Sequence, residues 1–169
     1  MSEKHRRYFL KARESKELLD KASKRLRINL EQILKDKTNV EVVQAESIRL
    51  FLINGKPVLV ETGENIYPTL MFKEYLETAP KVTVDMGAVP HICKGANVMA
   101  PGIRQFKGEF QKGDLILITD EKHGKPIALG ETLYNTEQAK NIKQGIIIKN
   151  IHYVGDKTWN QLKQLTSNP

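Results

Sequence analysis

The residues of this 169-residue chain that are best suited to ligand chemistry stand together in Lys94-Gly95-Ala96-Asn97. Glycine has no Cβ, so a phosphate or ribose can approach the main chain and accept hydrogen bonds from backbone N–H groups. Lys94 adds positive charge, and the Asn97 amide can donate and accept at a base edge or a 2′-hydroxyl. In the alternative interpretation, Gly95 only ends a short helix and Asn97 only satisfies the backbone of the turn.

Groups that could perform catalysis are sparse. The histidines have no metal-ligand spacing with one another, and one cysteine cannot build a zinc site. These residues are His5, His91, His123, His152 and Cys93. A phosphate-cradling glycine loop followed by Lys-Ser/Thr is absent from the sequence, and so is a serine nucleophile elbow. The sequence therefore predicts a binding protein without a metal or cofactor, and not an enzyme.

No stretch of the sequence is typical of a membrane anchor or an export signal. The apolar runs fall short of the roughly 20 residues that span a bilayer, and no signal-peptide pattern opens the chain. A single cysteine also fits a reducing compartment. We therefore expect a soluble, cytoplasmic protein.

Positive charge is concentrated at the start of the chain. The net charge is +7, and the first 37 residues hold 12 Lys/Arg and 6 Asp/Glu, so 12 − 6 = +6 lies there. After a loosely ordered segment over 1–11, an N-cap at Ser15 and apolar residues spaced from Leu18 to Leu34 predict one amphipathic helix of about five turns. Its basic face, which is either solvated or in contact with phosphates, includes Lys21, Lys24 and Arg25.

The stretch from Val40 to Thr62 is typical of strands joined by a tight hairpin. Its apolar residues alternate with polar ones, which is the period of half-buried strands. Asn54-Gly55 supplies the two positive-φ residues of a type I′ turn. Pro57 favours an edge position for the returning strand, which is expected to begin at Val58.

The sequence predicts a short helix over Leu70–Thr78. Ala79-Pro80 then interrupts regular structure, so we predict a domain boundary there. Many short strands and two short helices follow, a pattern typical of a small mixed barrel. The predicted strands are Val82–Val84, Val98-Met99, Leu115–Thr119, Ile127–Leu133 and, as two strands or one bent strand, Ile146–Lys149 with Ile151–Val154. The predicted helices begin at Pro90 and at Asn135 or Thr136, and they end at Gly95 and Gly145. We expect Lys157–Asn160 to close the barrel, with Trp159 packed across its seam.

Several short motifs of this region occur in the order and spacing of a known family. The motifs are Tyr67-Pro68-Thr69-Leu70, Val84-Asp85 with Gly87-Ala88, Lys94 to Met99, Pro101-Gly102, Phe110 with Gly113-Asp114, Ala128-Leu129-Gly130, Gly145, and Ile151-His152-Tyr153. Together they resemble a PUA domain, an RNA-binding module. The stretch from Val40 to Trp159 is similar to the malignant-T-cell-amplified-sequence family of translation-associated proteins, in which a small domain precedes the PUA domain.

This resemblance implies an α+β protein with a PUA-type pseudobarrel. We expect an N-terminal helix-plus-hairpin domain over 1–79, the PUA domain over 80–160 and a C-terminal tail over 161–169. In the family, the first helix, the glycine turn and the last long strand bind RNA. The RNA-binding residues carried over are Lys94, Gly95, Ala96, Asn97, Ile151, His152 and Tyr153. Candidate phosphate contacts, which are otherwise solvated surface, are Arg104, Lys143 and Lys149, with Lys21, Lys24 and Arg25 on the N-terminal helix.

The resemblance also implies a function in translation, in which the chain binds structured tRNA or rRNA during initiation or ribosome recycling. Its partners would be RNA and either the small ribosomal subunit or a start-site-scanning protein. Two alternatives stay open at this point. The chain could be the RNA-binding specificity subunit of a tRNA- or rRNA-modifying enzyme, or a protein-interaction module whose basic helix binds an acidic partner.

Overall fold

The structure, a computed structural model, describes residues 6–34 and 39–167. His5 and the last two residues of the predicted tail lie outside this range. Helices and antiparallel sheet form the first part of the chain, and a second, curled sheet follows, so the predicted α+β class is confirmed. The chain divides into two compact units between Glu74 and Tyr75. This division falls before the predicted boundary at Ala79-Pro80, and the extent of an independently folding domain stays a prediction.

The N-terminal unit contains a five-stranded antiparallel sheet in the order β1-β2-β3-β4-β5. Asn54 and Gly55 join β3 to β4 with φ values of 52° and 83°, so the predicted turn residues both adopt positive φ. Central strands are buried almost throughout, which their apolar residues explain. The strands are β1 (Arg6–Phe9), β2 (Val40–Ala45), β3 (Ile48–Ile53), β4 (Lys56–Thr62) and β5 (Asn65–Pro68).

Two predictions for the sheet of this unit are wrong. Residues Arg6–Phe9 fall in the segment expected to be loosely ordered, yet they form β1 and pair with β2. Pro57 does not mark an edge strand, because β4 pairs with β3 on one side and β5 on the other. The missing N–H of Pro57 is tolerated near the end of the strand, where the register with β3 shifts.

The helical segment of the N-terminal unit also differs from its prediction. It is broken into α1 (Ala12–Leu26) and α2 (Leu30–Leu34), because Arg27 adopts a left-handed conformation with φ 56°. Lys11, not Ser15, stands at the N-cap, and the Glu14 carboxylate accepts a hydrogen bond from its N–H at 3.1 Å. Ser15 lies inside α1 and is buried. A third helix, α3 (Lys73–Thr78), contains the point at which the chain divides into the two units, and it is shorter than the predicted Leu70–Thr78.

The C-terminal unit contains a six-stranded sheet in the order β7-β11-β10-β9-β6-β8. All described neighbours are antiparallel except β6 and β9, and this mixed, curled sheet confirms the predicted pseudobarrel. Its core is apolar and includes the buried faces of β6, β9, β10 and β11. The strands are β6 (Lys81–Val84), β7 (Val98–Met99), β8 (Ile103–Lys107), β9 (Leu115–Asp120), β10 (Pro126–Thr132) and β11 (Ile146–Tyr153).

Short helices connect these strands. Helix α4 (Val89–Ile92) carries Pro90 in its first turn, and α5 (Thr136–Asn141) begins after Asn135, whose side chain accepts from the Gln138 N–H at 2.9 Å. Both starts agree with their predictions. Helix α5 ends at Asn141, before the expected stop at Gly145. The last stretch is one strand and not two.

The end of the chain corrects another prediction. Residues Lys157–Ser167 form helix α6, whereas Lys157–Asn160 was expected to close the barrel and the following residues to be a tail. Asp156 precedes the helix and accepts a hydrogen bond from the Trp159 N–H at 2.7 Å, which is the geometry of an N-cap. Trp159 lies in the first turn of α6, with the Lys163 ammonium 5.9 Å from its ring.

Candidate nucleic-acid interface

The predicted glycine turn follows helix α4 directly. The N–H groups of Gly95 and Ala96 donate to the carbonyls of Ile92 and His91, each at 3.0 Å, and so continue the helix into a tight turn. Gly95 has φ 100°, a value that favours glycine. Lys94, Gly95 and Ala96 are all exposed. The turn therefore presents a cation and exposed main chain on one surface. The N–H groups of Lys94, Gly95 and Ala96 all donate within the turn, so the expected donation from these groups to a phosphate is corrected.

A pair of asparagines ties this turn to strand β11. The Asn97 Oδ1 accepts from the Asn150 N–H at 2.9 Å, while the Asn150 Nδ2 donates to the Ile92 and Ala96 carbonyls at 3.0 and 2.9 Å. Asn97 therefore stabilises the backbone around the turn, which is the structural role given by the alternative interpretation of the sequence. The role of Asn150 was not predicted, because the sequence does not indicate which distant carbonyls an amide side chain in a strand will contact.

Tyr153 brings the end of β11 against the glycine turn. A Cβ added at Gly95 would lie 3.4 Å from the Tyr153 Cε1 and 3.5 Å from its hydroxyl oxygen. The Tyr153 side chain is half-buried and packs partly against the barrel core. Ile151 is also half-buried. The structure therefore brings Lys94, Gly95 and Tyr153 together, as the carried-over site requires.

His152, the remaining predicted residue of β11, points the other way. Its side chain is fully buried, and its Nδ1 lies 2.8 Å from the Asp156 Oδ2. The structure consequently offers no surface of the His152 side chain to RNA, and this corrects the expectation of a side-chain contact. The alternation of side chains along a strand gives the reason, because Ile151 and Tyr153 lie on the opposite face.

Asp156 fixes the position of Tyr153. Its carboxylate accepts from the Tyr153 N–H at 3.0 Å, in addition to its bonds with His152 and Trp159. Burial by itself would raise the pKa of the Asp156 carboxyl, but the hydrogen bond and charge of His152 and the two backbone N–H groups together hold that pKa below its ordinary value. Sequence reasoning missed this residue, although an aspartate three residues before Trp159 fits an N-cap.

Arg104, Lys143 and Lys149 are exposed in the same unit. The Arg104 guanidinium is 3.2 Å from the Glu121 carboxylate and 3.9 Å from that of Asp85, so its charge is already partly neutralised. Lys149 lies on β11, opposite Glu131 of β10.

The remaining candidate phosphate contacts lie on helix α1 of the N-terminal unit. Lys21 is 3.7 Å from the Glu61 carboxylate, Lys24 is exposed, and Arg25 is half-buried.

Neither a metal-binding cluster nor a membrane-spanning helix is found in the described residues. Over residues 6–34 and 39–167, no group of three or more His, Cys, Asp or Glu side chains is arranged to hold a metal ion. Within the same residues, no helix has the length and apolar character needed to cross a bilayer. Cys93 is half-buried beside the glycine turn, and burial raises the pKa of its thiol.

Family models match both parts of the chain. Residues 80–154 match the PUA domain, and residues 6–75 match a domain of unknown function, DUF1947. The fold and the matched model define the C-terminal region as a PUA domain, and this class supports an RNA-binding function. A solved hypothetical protein of Pyrococcus horikoshii is 30% identical, with a TM-score of 0.77 over 93% of this chain and 99% of that chain.

Curated relatives identify the family. An uncharacterized protein of Methanocaldococcus jannaschii is 37% identical over 92% of this chain and 96% of its own length. Translation machinery-associated protein 20 of Schizosaccharomyces pombe is 30% identical, covering 77% and 76% of the two chains. Malignant T-cell-amplified sequence 1 of Rattus norvegicus is 29% identical, covering 77% and 75%. The chain belongs to the family of these PUA-domain proteins, and the predicted resemblance is confirmed.

Proposed function

We propose that this chain binds structured tRNA or rRNA during translation in the cytoplasm, with the glycine turn and the end of β11 as its recognition surface. The observation that carries the proposal is the juxtaposition of exposed Lys94, the exposed main chain at Gly95 and the Tyr153 ring. The name of the Schizosaccharomyces pombe relative, Translation machinery-associated protein 20, supports the choice of process. Initiation or ribosome recycling, on the small subunit or with a start-site-scanning protein, are the steps that the family resemblance favours.

Recognition on this surface requires no covalent chemistry. The exposed Gly95 has no side chain that would keep a ribose or phosphate away from the turn, and Lys94 attracts the phosphate. The accessible part of the Tyr153 ring can stack on an unpaired base, a contact worth roughly 1–3 kcal/mol. Asn97 and Asn150 hold the turn in place before RNA arrives, so little ordering is needed on binding.

A lysine substitution tests this surface without disturbing the fold. Lys94 is exposed, so Lys94→Ala should leave thermal unfolding unchanged and weaken the binding of unfractionated tRNA about three- to tenfold, the loss of one phosphate contact. Lys112→Ala, in an exposed turn before β9, is the matched control and should bind like the parent. Equal affinity of both variants would remove Lys94 from the interface. An absence of any tRNA binding by the parent at low salt would favour a protein-interaction module instead.

A further inference from the structure

A groove borders strand β8 on the side away from β6. Among the described strands, β8 ends the six-stranded sheet and pairs with β6 alone. The groove has a volume of about 380 Å³, within the size range of binding pockets. Its walls come from β8, from the turn before β8, and from helix α5 with the residue that follows it. The lining residues are Ala100, Ile103, Arg104, Gln105, Phe106, Ala139, Lys140 and Ile142.

Four consecutive β8 residues, Ile103 to Phe106, line the groove. The register with β6 shifts at Arg104, so side chains do not alternate regularly over this run. The sheet order shows that this strand is an edge, because β8 pairs with β6 alone among the described strands. An edge carries backbone N–H and C=O groups that can pair with a further strand, although the Ile103 N–H already donates to the Ala100 carbonyl. Over these residues the edge is about 10 Å long.

The chemistry of the groove restricts what could fill it. Ile103, Phe106 and Ile142 are partly buried apolar side chains that pack on the barrel core, whereas Lys140 is exposed at the rim. Lys107 continues β8 and lies directly opposite Lys81 of β6. Burial, followed by the like charge of Lys107, lowers the pKa of Lys81. The Glu77 charge acts on Lys81 in the opposite direction, and the Lys81 ammonium donates to the Ala79 carbonyl at 3.0 Å. Lys107 is the exposed cation at this end of β8, where an acidic side chain would be favourable.

We propose that β8 is a docking edge for an extended, acidic segment of a partner protein, which adds as a strand in the groove between β8 and α5. The main chain of the segment pairs with β8, alternate apolar side chains rest on Ile103, Phe106 and Ile142, and Asp or Glu side chains face Lys140 and Lys107. This site is separate in its residues from the RNA surface at Lys94, Gly95 and Tyr153. It extends the proposed function by supplying a place for a protein partner.

A peptide selection against the full chain tests the proposal. Decapeptides enriched from a random displayed library should alternate apolar residues with Asp or Glu. Backbone N-methylation at alternate positions of such a peptide should abolish binding, since it removes the N–H groups that pair with a strand edge. Amide NMR shifts of the labelled chain should change at Ile103–Lys107 and Ala139–Ile142. Enriched peptides without acidic residues, binders indifferent to N-methylation, or shifts elsewhere would each overturn the proposal.

Charge reversal separates this site from the RNA surface. Lys140→Glu should weaken the selected peptide about tenfold, whereas Lys112→Glu should change it less than about twofold. The two substitutions should change the affinity for tRNA by the same amount. If Lys140→Glu instead weakened tRNA and spared the peptide, the groove would be an RNA site and the protein-docking proposal would be wrong. The Lys94 surface would be unaffected by that outcome.

Discussion

The N-terminal and C-terminal units carry charge in different ways. Of the net charge of +7, +6 lies in the first 37 residues, and several cations there face carboxylates, as Lys21 does Glu61 and Arg13 does Glu17. By unit the net charges are similar, since residues 1–74 carry 15 − 11 = +4 and residues 75–169 carry 12 − 9 = +3. The C-terminal unit includes exposed Lys94 beside the glycine turn. In the proposed function, the basic segment 1–37 therefore contributes long-range attraction of a polyanion, and the C-terminal unit contributes recognition at short range.

The largest effect is expected when the two units are expressed as separate fragments. We expect the fragments 75–169 and 81–169 each to unfold cooperatively, because the barrel core draws only on residues after Lys81. The longer fragment should be more stable by about 1 kcal/mol, since the Pro80 carbonyl accepts from the Leu117 N–H at 2.9 Å. Thermal unfolding by circular dichroism measures both. If neither fragment shows a cooperative transition, the units do not fold independently and the predicted boundary fails.

A large effect is also expected at Asp156 of the C-terminal unit. Asp156→Ala removes an acceptor for His152 and two backbone N–H groups, and should lower the free energy of unfolding by about 2–4 kcal/mol. Asp156→Asn keeps an oxygen and should lose less. Chemical denaturation measures the difference, and a loss of under about 0.5 kcal/mol in the alanine variant would contradict the assigned role.

The same residue predicts a dependence on pH. The folded pKa of Asp156 lies below its unfolded value, so its stabilisation is fully present above the unfolded pKa of about 3.9 and is lost as pH falls through the folded pKa. The difference in unfolding free energy between the parent and Asp156→Asn should therefore shrink below about pH 4. A difference that stayed constant down to pH 2 would show that the folded carboxyl has an ordinary pKa.

These features show which parts of the fold the sequence could predict. Local signals agreed with the structure, as at Asn54-Gly55, at Gly95 and at the Asn135 cap, because each depends on the conformation of a few neighbouring residues. Strand β1 and the break at Arg27 were missed. The first depends on pairing with a strand far along the chain, and the second places a non-glycine residue at positive φ.

The candidate site also contains features that the sequence could predict and features that it could not. The residue types at Lys94 to Asn97 predicted an exposed turn, and the family resemblance predicted which strand would lie beside it. The direction of the His152 side chain and the bonds of Asn150 could not be predicted, since both depend on a register that includes a shift between β10 and β11. Asp156 was within reach of sequence reasoning as a helix cap.

A smaller effect is expected at Tyr153. It tests whether short-range recognition of RNA includes a contact with a base. Tyr153→Leu keeps apolar bulk but removes the ring, and should weaken tRNA binding by roughly 1–3 kcal/mol if a base stacks there. Tyr134→Leu is the matched control, because Tyr134 is also half-buried and packs on the same core. Fluorescence anisotropy with labelled tRNA measures both. Equal losses in the two variants would indicate a general packing effect and not a base contact.

The smallest effect is expected from helix α1. Lys16 and Lys24 are exposed, and replacing both by Gln should flatten the slope of log affinity against log salt by about 1–2 if they meet phosphates. Deleting residues 1–11 is a poorer test, because it also removes β1 from the sheet. The paired replacement of Lys112 and Lys122 by Gln is the control. An unchanged slope in the α1 variant would show that Lys16 and Lys24 are solvated and do not contact phosphates.

The central claim, recognition at the glycine turn, is tested most directly by locating the RNA on the chain. Ultraviolet crosslinking of the full chain to unfractionated tRNA, followed by mass spectrometry of the crosslinked peptides, reports which residues lie against RNA. We predict crosslinks at Lys94–Asn97 and Tyr153, and their loss when unlabelled tRNA competes. Crosslinks confined to Ala12–Leu26, with none at the turn or at Tyr153, would contradict the claim and place recognition in the N-terminal unit.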